Sequence, residues 1–189
     1  MNPAVFTKFA SVSFQKQITY RFDYFMGILN GFLFVFIFTS LWRALYAQFP
    51  DDSHSGFTLS GIITYAVLAM ALRISFSMDD TVIYKRVQDG TVALDLIRPV
   101  SFYFMYLAEC VGYSMFHIFA RAIPILAIST FMFDVQFGIG WNRLVLFAVS
   151  AVFGYLILFM INFIIGLMAF WFFEVFPFQL FKYGFITLL

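Results

Sequence analysis

Between Leu144 and Phe173 the chain runs 30 residues without a charged side chain. A helix rises about 1.5 Å per residue, so roughly 20 apolar residues cross the hydrocarbon core of a bilayer. No soluble fold needs a run of this length. Comparable apolar stretches precede it, and only 11% of the residues are charged, against about 25% in ordinary globular domains. Strand alternation is absent from the long runs, which disfavours an outer-membrane barrel. The chain therefore reads as all-α: one polytopic transmembrane helical bundle over 1–189.

Residues 1–21 come first. Phe6, Phe9, Phe14 and Ile18 recur at helical spacing, with Lys8, Gln15 and Lys16 elsewhere on the circumference. This predicts an amphipathic helix at the membrane interface. The first span is expected at about 22–46, entered at Arg21 and Asp23 and left at Trp42, Arg43 and Tyr46; aromatic residues favour the headgroup level. Pro50, Asp51, Asp52, Ser53 and His54 form a polar loop. A second span is expected at 57–78, passing Arg73, whose long stem can reach the interface. The polar stretch 79–99 follows. It reads as a short helix over 81–88, a turn at Asp89-Gly90, and a second short segment running into the next span. The third span is expected at 101–131, with a kink at Pro124, and the fourth at 143–172. Glu174 and Pro177 break the pattern. A fifth apolar segment, 178–189, contains Lys182 and stops before crossing comfortably, which raises the expectation of a longer natural chain.

Basic residues in short loops set orientation. Lys8, Lys16 and Arg21 precede the first span, and Lys85, Arg86 and Arg98 separate the second from the third. The amino terminus and the 79–99 loop are thus expected in the cytoplasm, and the loops near 50 and 137 outside.

Few polar groups remain in the spans. At about 100° per residue, Glu109, His117 and Arg121 fall within about 120° of the third helix, so this face should meet protein or water. Glu109 lies near the cytoplasmic end and His117 deeper. With Pro124 they are the candidate lining of a translocation path or gate. The alternative is a structural network with neighbouring helices. Gly27 and Gly31, with Asn30 beside them, allow close approach of another helix, either in a second subunit or within the chain. Asn162 with Gly166 carries the same ambiguity, intramolecular packing being favoured.

Several classes are disfavoured. A net charge of +1 is too small and dispersed for a nucleic-acid binder. The single cysteine, Cys110, cannot form an internal disulfide. No metal set is expected, because His54 and His117 lie in different regions. No nucleophile triad and no G-x-x-x-x-G-K-[ST] loop occur. If ATP drives transport here, it must sit on a partner.

The segment Gln88-Asp-Gly-Thr-Val-Ala-Leu-Asp-Leu-Ile-Arg-Pro-Val100 carries a resemblance. With Gly90, Asp95, Leu96, Arg98 and Pro99 placed after the second span, the chain resembles the permease subunits of the ABC-2 superfamily of ATP-driven transporters. The likeness covers nearly the whole chain, which departs from the usual six spans by ending within the fifth. The resemblance implies two permease subunits, identical or related, in a bacterial plasma membrane. It also implies two cytosolic P-loop ATPase subunits carrying ATP and Mg, and no cofactor on this chain. It makes 79–99 the element that couples to the ATPase. Asp79, Asp80, Lys85 and Arg86 offer both charge signs for a soluble partner, and Val82, Ile83 and Val87 a small apolar anchor.

On this reading, closure of the ATPase pair moves 79–99, and with it the second and third spans. Export of an amphipathic, drug-like, peptide or lipid-like substrate is expected. Two competitors stand beside it. A non-transporting membrane assembly or immunity protein predicts no ATPase partner and tolerance of change in 79–99. A channel or secondary transporter predicts flux without ATP.

Overall fold

The computed structural model describes residues 2–19, 21–48, 58–133, 140–172 and 174–188. The expected outer loops at 49–57 and 134–139, and the side chains of Arg21 and Asp23, lie outside the described residues. Every regular element among them is helical. α1 (Pro3–Ile18) starts with Pro3 at its first position and Asn2 as its cap, the Asn2 side chain accepting from the Ala4 N–H, which satisfies one of the orphan donors of a helix start. The long apolar helices are α2 (Arg21–Gln48), α3 (Leu59–Ser75), a composite of α6 (Phe102–His117) and α7 (Ile123–Phe133), and α8 (Trp141–Leu167). Short helices α4 (Val82–Gln88) and α5 (Val92–Ile97) lie between α3 and α6, and α9 (Phe176–Leu188) follows α8.

Three helices among the described residues are long and apolar enough to cross a membrane: Tyr24–Ala47, Phe102–Phe133 and Trp141–Phe170. α3 is shorter, at 17 residues, or about 26 Å. The second span was expected to run to 78, but the helix ends at Ser75, and residues 77–79 have no regular structure. The cause is a set of competing partners. Ser114 donates its hydroxyl to the Ser77 carbonyl at 2.7 Å, Tyr106 to that of Asp79 at 3.1 Å, and the Gln179 amide to that of Asp80 at 3.2 Å. Irregular backbone inside a membrane protein survives only where protein satisfies it. Here α6 and α9 supply the donors.

The composite third helix is interrupted by a π turn over Ile118–Ala122. Pro124 has no N–H, and its ring would crowd the carbonyl four residues earlier, that of Ala120. The widened turn encloses Ala120, so the expected disturbance at Pro124 takes the form of a π turn just before it.

Lengths and contacts divide the molecule into two levels. Phe102–Phe133 has 32 residues, about 48 Å of helix, well beyond the ~30 Å hydrocarbon core. Tyr24, near the start of α2, meets Phe116, and Ser77, just past the end of α3, meets Ser114. Residues 114–133 thus pair with α2 and α3 and span about 30 Å. Residues 102–113 project beyond both helices. The spanning level has a core of Val35, Ile63, Val67, Ile125 and Phe133. The projecting level has its own, Ile83, Tyr106, Cys110 and Phe159. His117, expected deeper in the bilayer, sits in the first turn of the spanning section.

α1 packs along the projecting part of α6. A Cβ on Gly112 would meet the Ala10 carbonyl oxygen at 2.1 Å. Ser13 donates to the Glu109 carbonyl at 2.7 Å, and Phe14 meets Phe116 edge-on. Phe6, Phe9, Ala10, Ser13, Phe14 and Gln17 are half-buried, whereas Ile18, expected on the same face, is exposed.

Candidate functional site

The candidate site is the projecting level, built around 76–99. α4 is stopped at Asp89 by Gly90, whose φ is +71°. This is the left-handed conformation that glycine adopts without the Cβ clash other residues suffer. α5 then forms as a separate helix. It does not run into the third span as expected, because Arg98-Pro99 holds the chain extended: the residue before a proline is driven out of helical conformation. Arg98 has ψ 139°.

Arg86 ties this pair of helices to the third span. It donates to Asp95 at 3.1 Å and to Glu109 at 2.7 Å. Arg98 reaches the other Asp95 oxygen at 3.3 Å. One guanidinium thus bridges α5 and α6, using the fork geometry that suits arginine to carboxylates. Glu109, a candidate gate residue, is a member of this staple. Tyr84 on the other side of α4 donates to Glu174 at 3.2 Å. Partial desolvation first, and the Glu174 carboxylate second, hold its phenol above the ordinary pKa.

A second polar knot lies beside it. Lys182, only 7% exposed, donates to Asp80 Oδ2 at 2.5 Å and to the Asn162 side-chain oxygen at 2.9 Å. The Tyr183 hydroxyl donates to the same Asp80 oxygen at 2.6 Å, and the Asn162 amide approaches Met78 Sδ at 3.5 Å. A buried ammonium is tolerated only when paired and hydrogen-bonded. This knot joins α8, α9 and the irregular strap of residues 76–81, and sequence reasoning missed it. The signal was present as two oddities, a lysine in the fifth apolar segment and an asparagine in the fourth.

The expected contacts for a soluble partner are redistributed. Ile83, at 1% exposure, points inward, and a Cβ on Gly166 would meet its Cδ1 at 2.9 Å. Val82 and Val87 pack on the same inner core. These residues anchor α4 to the chain's own α6 and α8, Ile83 fully and Val82 and Val87 in part. The exposed apolar surface belongs to α5: Leu94 is 64% exposed, Leu96 57% and Ile97 79%. Lys85, Asp89 and Gly90 are exposed on α4 and its turn, with Arg98 and Pro99 after α5. Asp79 accepts from the Thr81 hydroxyl at 2.8 Å and from its N–H.

The remaining predicted residues meet the spanning level. A Cβ on Gly27 would strike the Arg121 guanidinium at 2.4 Å, and one on Gly31 would strike Ile125 Cδ1 at 2.5 Å. The two glycines are therefore occupied by the third helix of the same chain, while Asn30 is exposed. Two adjoining cavities flank α6. One, of about 210 Å³, is lined by Arg86, Glu109 and Tyr106. The other, of about 390 Å³, is lined by His117, Arg121 and Lys85. Lys16, Gln17, Asp79 and Tyr113 border both. Glu109 thus lines the first cavity, and His117 and Arg121 the second, both bordered on one side by α1. Among the described residues no group of three or more His, Cys, Asp or Glu is placed to hold a metal.

Residues 32–189 match the family described as "ABC-2 family transporter protein". The chain belongs to the ABC-2 transporter family. No curated protein and no solved structure gives a match. ABC-2 permeases are non-catalytic transport subunits, so this ABC-2 chain is a multi-span transport subunit and not an enzyme. The match leaves out α1 and the start of α2 but includes the strap, α4, α5 and the Lys182 knot.

Proposed function

We propose that this chain is the permease subunit of an ATP-driven exporter, working as a pair of permeases with two cytosolic P-loop ATPase subunits that carry ATP and Mg. It lies in a bacterial plasma membrane with its amino terminus and α4–α5 in the cytoplasm. The substrate class is an amphipathic molecule: a drug, a peptide or a lipid. The observation that carries the reading is α5, a short helix at the tip of the projecting level with Leu94, Leu96 and Ile97 exposed. Its own Asp95 is turned inward to Arg86. A six-residue helix with this much bare apolar surface next to Lys85 and Arg98 suits a groove on a soluble partner.

Movement of α5 is transmitted through Arg86 to Glu109 on the third helix, while Asp80, ahead of α4, ties the same level to Lys182 on α9. The π turn before Pro124 is where the third helix can change pitch, beside His117 and Arg121. ATP does work only by favouring one of two such arrangements. The test is purification of the complex from its own membranes followed by mass spectrometry. The parent chain should co-elute with two copies of a P-loop ATPase. Leu94→Asp with Ile97→Asp should lower the co-eluting ATPase by at least about tenfold, since a charge buried in an interface costs several kcal/mol. Membrane insertion should be unchanged. An ATPase yield equal in parent and double variant removes α5 as the coupling surface. Isolation with no ATPase at all favours the assembly-protein or channel reading.

A further inference from the structure

We propose that the 390 Å³ recess between α1, α2, α4 and α6 binds a negatively charged phosphate group. Three cations line it, Lys16 from α1, Lys85 from α4 and Arg121 from the π turn, and they face one carboxylate, Asp79. That carboxylate already accepts from Thr81. Tyr24 and Tyr113 add phenol groups to the wall. The same wall holds His117, 3% exposed, with neither ring nitrogen hydrogen-bonded. A buried polar group without a partner is destabilising unless a ligand or water completes it. Here it faces a space crowded with positive charge.

The depth of the recess narrows the chemistry further. His117 lies in the first turn of the 20-residue stretch that pairs with α2 and α3, so the recess sits at one edge of the spanning level. Phosphate headgroups occupy that edge in a bilayer. Phe116 contributes an apolar edge to the wall. Both a lipid headgroup and a soluble phosphate supply the required chemistry.

The experiment uses the whole chain, delipidated in neutral detergent. Phosphatidylglycerol and phosphatidylcholine are offered separately and retention is read by native mass spectrometry; inorganic phosphate is titrated by calorimetry. Phosphatidylglycerol should be retained at least about tenfold more strongly than the zwitterionic lipid. Lys16→Gln with Lys85→Gln should weaken that retention by roughly 30-fold, the effect of two near-surface cations. Lys16→Arg with Lys85→Arg should restore it, and Lys8→Gln, on an exposed part of α1, should change nothing. Retention of phosphatidylglycerol without binding of inorganic phosphate assigns the site to a lipid headgroup. Inorganic phosphate binding that is lost in the Gln pair assigns it to a soluble phosphate. Binding of neither, or retention equal in the parent and the Gln pair, overturns the proposal.

Discussion

Asp80 and Lys182 illustrate how a single pair can organise this fold. They are 102 residues apart in sequence and both nearly buried, with side-chain exposures of 13% and 6%. Replacing one member leaves the other as an uncompensated charge, which costs about 3–5 kcal/mol, whereas replacing both is often nearly neutral. Lys182→Met should therefore lower stability in detergent by about 3 kcal/mol, and Asp80→Asn with Lys182→Met should recover much of it. Thermal unfolding of the three variants measures this; a Lys182→Met protein as stable as the parent would remove the knot from the fold's support. Sequence reasoning gave Asp80 to a soluble partner because an aspartate in a polar loop ordinarily faces water. The bond to Lys182 depends on how α9 returns to the strap, which no local pattern records. Gly90 is the opposite case. Asp89-Gly90 announces a helix stop, and the positive φ at Gly90 is the local physics that the dipeptide encodes. Gly90→Ala should cost about 1 kcal/mol, read as a small fall in the same unfolding midpoint.

Among the elements, α1 makes its closest approach to the third helix at one glycine. The Ala10 carbonyl oxygen occupies the place of a side chain at Gly112, and backbone cannot swing aside as a long side chain does. Gly112→Leu should push α1 off α6 and expose the Ser13 and Phe14 face. Limited proteolysis should then cut within residues 3–18 at least several times faster than in the parent, while α8 keeps its protection. Equal cleavage rates would show that α1 is held by something else. The helix itself was legible, because apolar residues recur at a period near 3.6. What it packs against was not. An interfacial helix and a helix docked on protein share one amphipathic pattern, and only the glycine on the far element distinguishes them. The long spans were legible for a stronger reason: 20 or more apolar residues have few other places to go. The early end of α3 was hidden, because the hydrophobic run continues through Phe76 and Met78 while the donors that unwind it lie on α6 and α9.

At the scale of the molecule, the two levels place the charges. Arg86, Asp95, Glu109, Asp80 and Lys182 belong to the projecting level or its junction, and among the described residues the spanning level carries little charge apart from Arg121 and the helix-end residues Arg43, Arg73 and Arg143. Much of α2 and nearly all of the first half of α8 are exposed and apolar, which suits contact with hydrocarbon. The projecting level then lies on one side of the bilayer, and Lys16, Lys85, Arg86 and Arg98 give that side the excess of Lys and Arg that the proposed cytoplasmic placement expects. Lys85 and Trp141 are exposed and lie at opposite ends of this arrangement. Single cysteines at each, Lys85→Cys and Trp141→Cys, in a background where the buried Cys110 is changed to Ala, turn the geometry into a measurement. A membrane-impermeant thiol reagent should label Trp141→Cys in intact cells and Lys85→Cys only after permeabilisation. Labelling of Lys85→Cys from outside would invert the molecule, putting α5 out of reach of any cytosolic ATPase and leaving the coupling proposal without a mechanism.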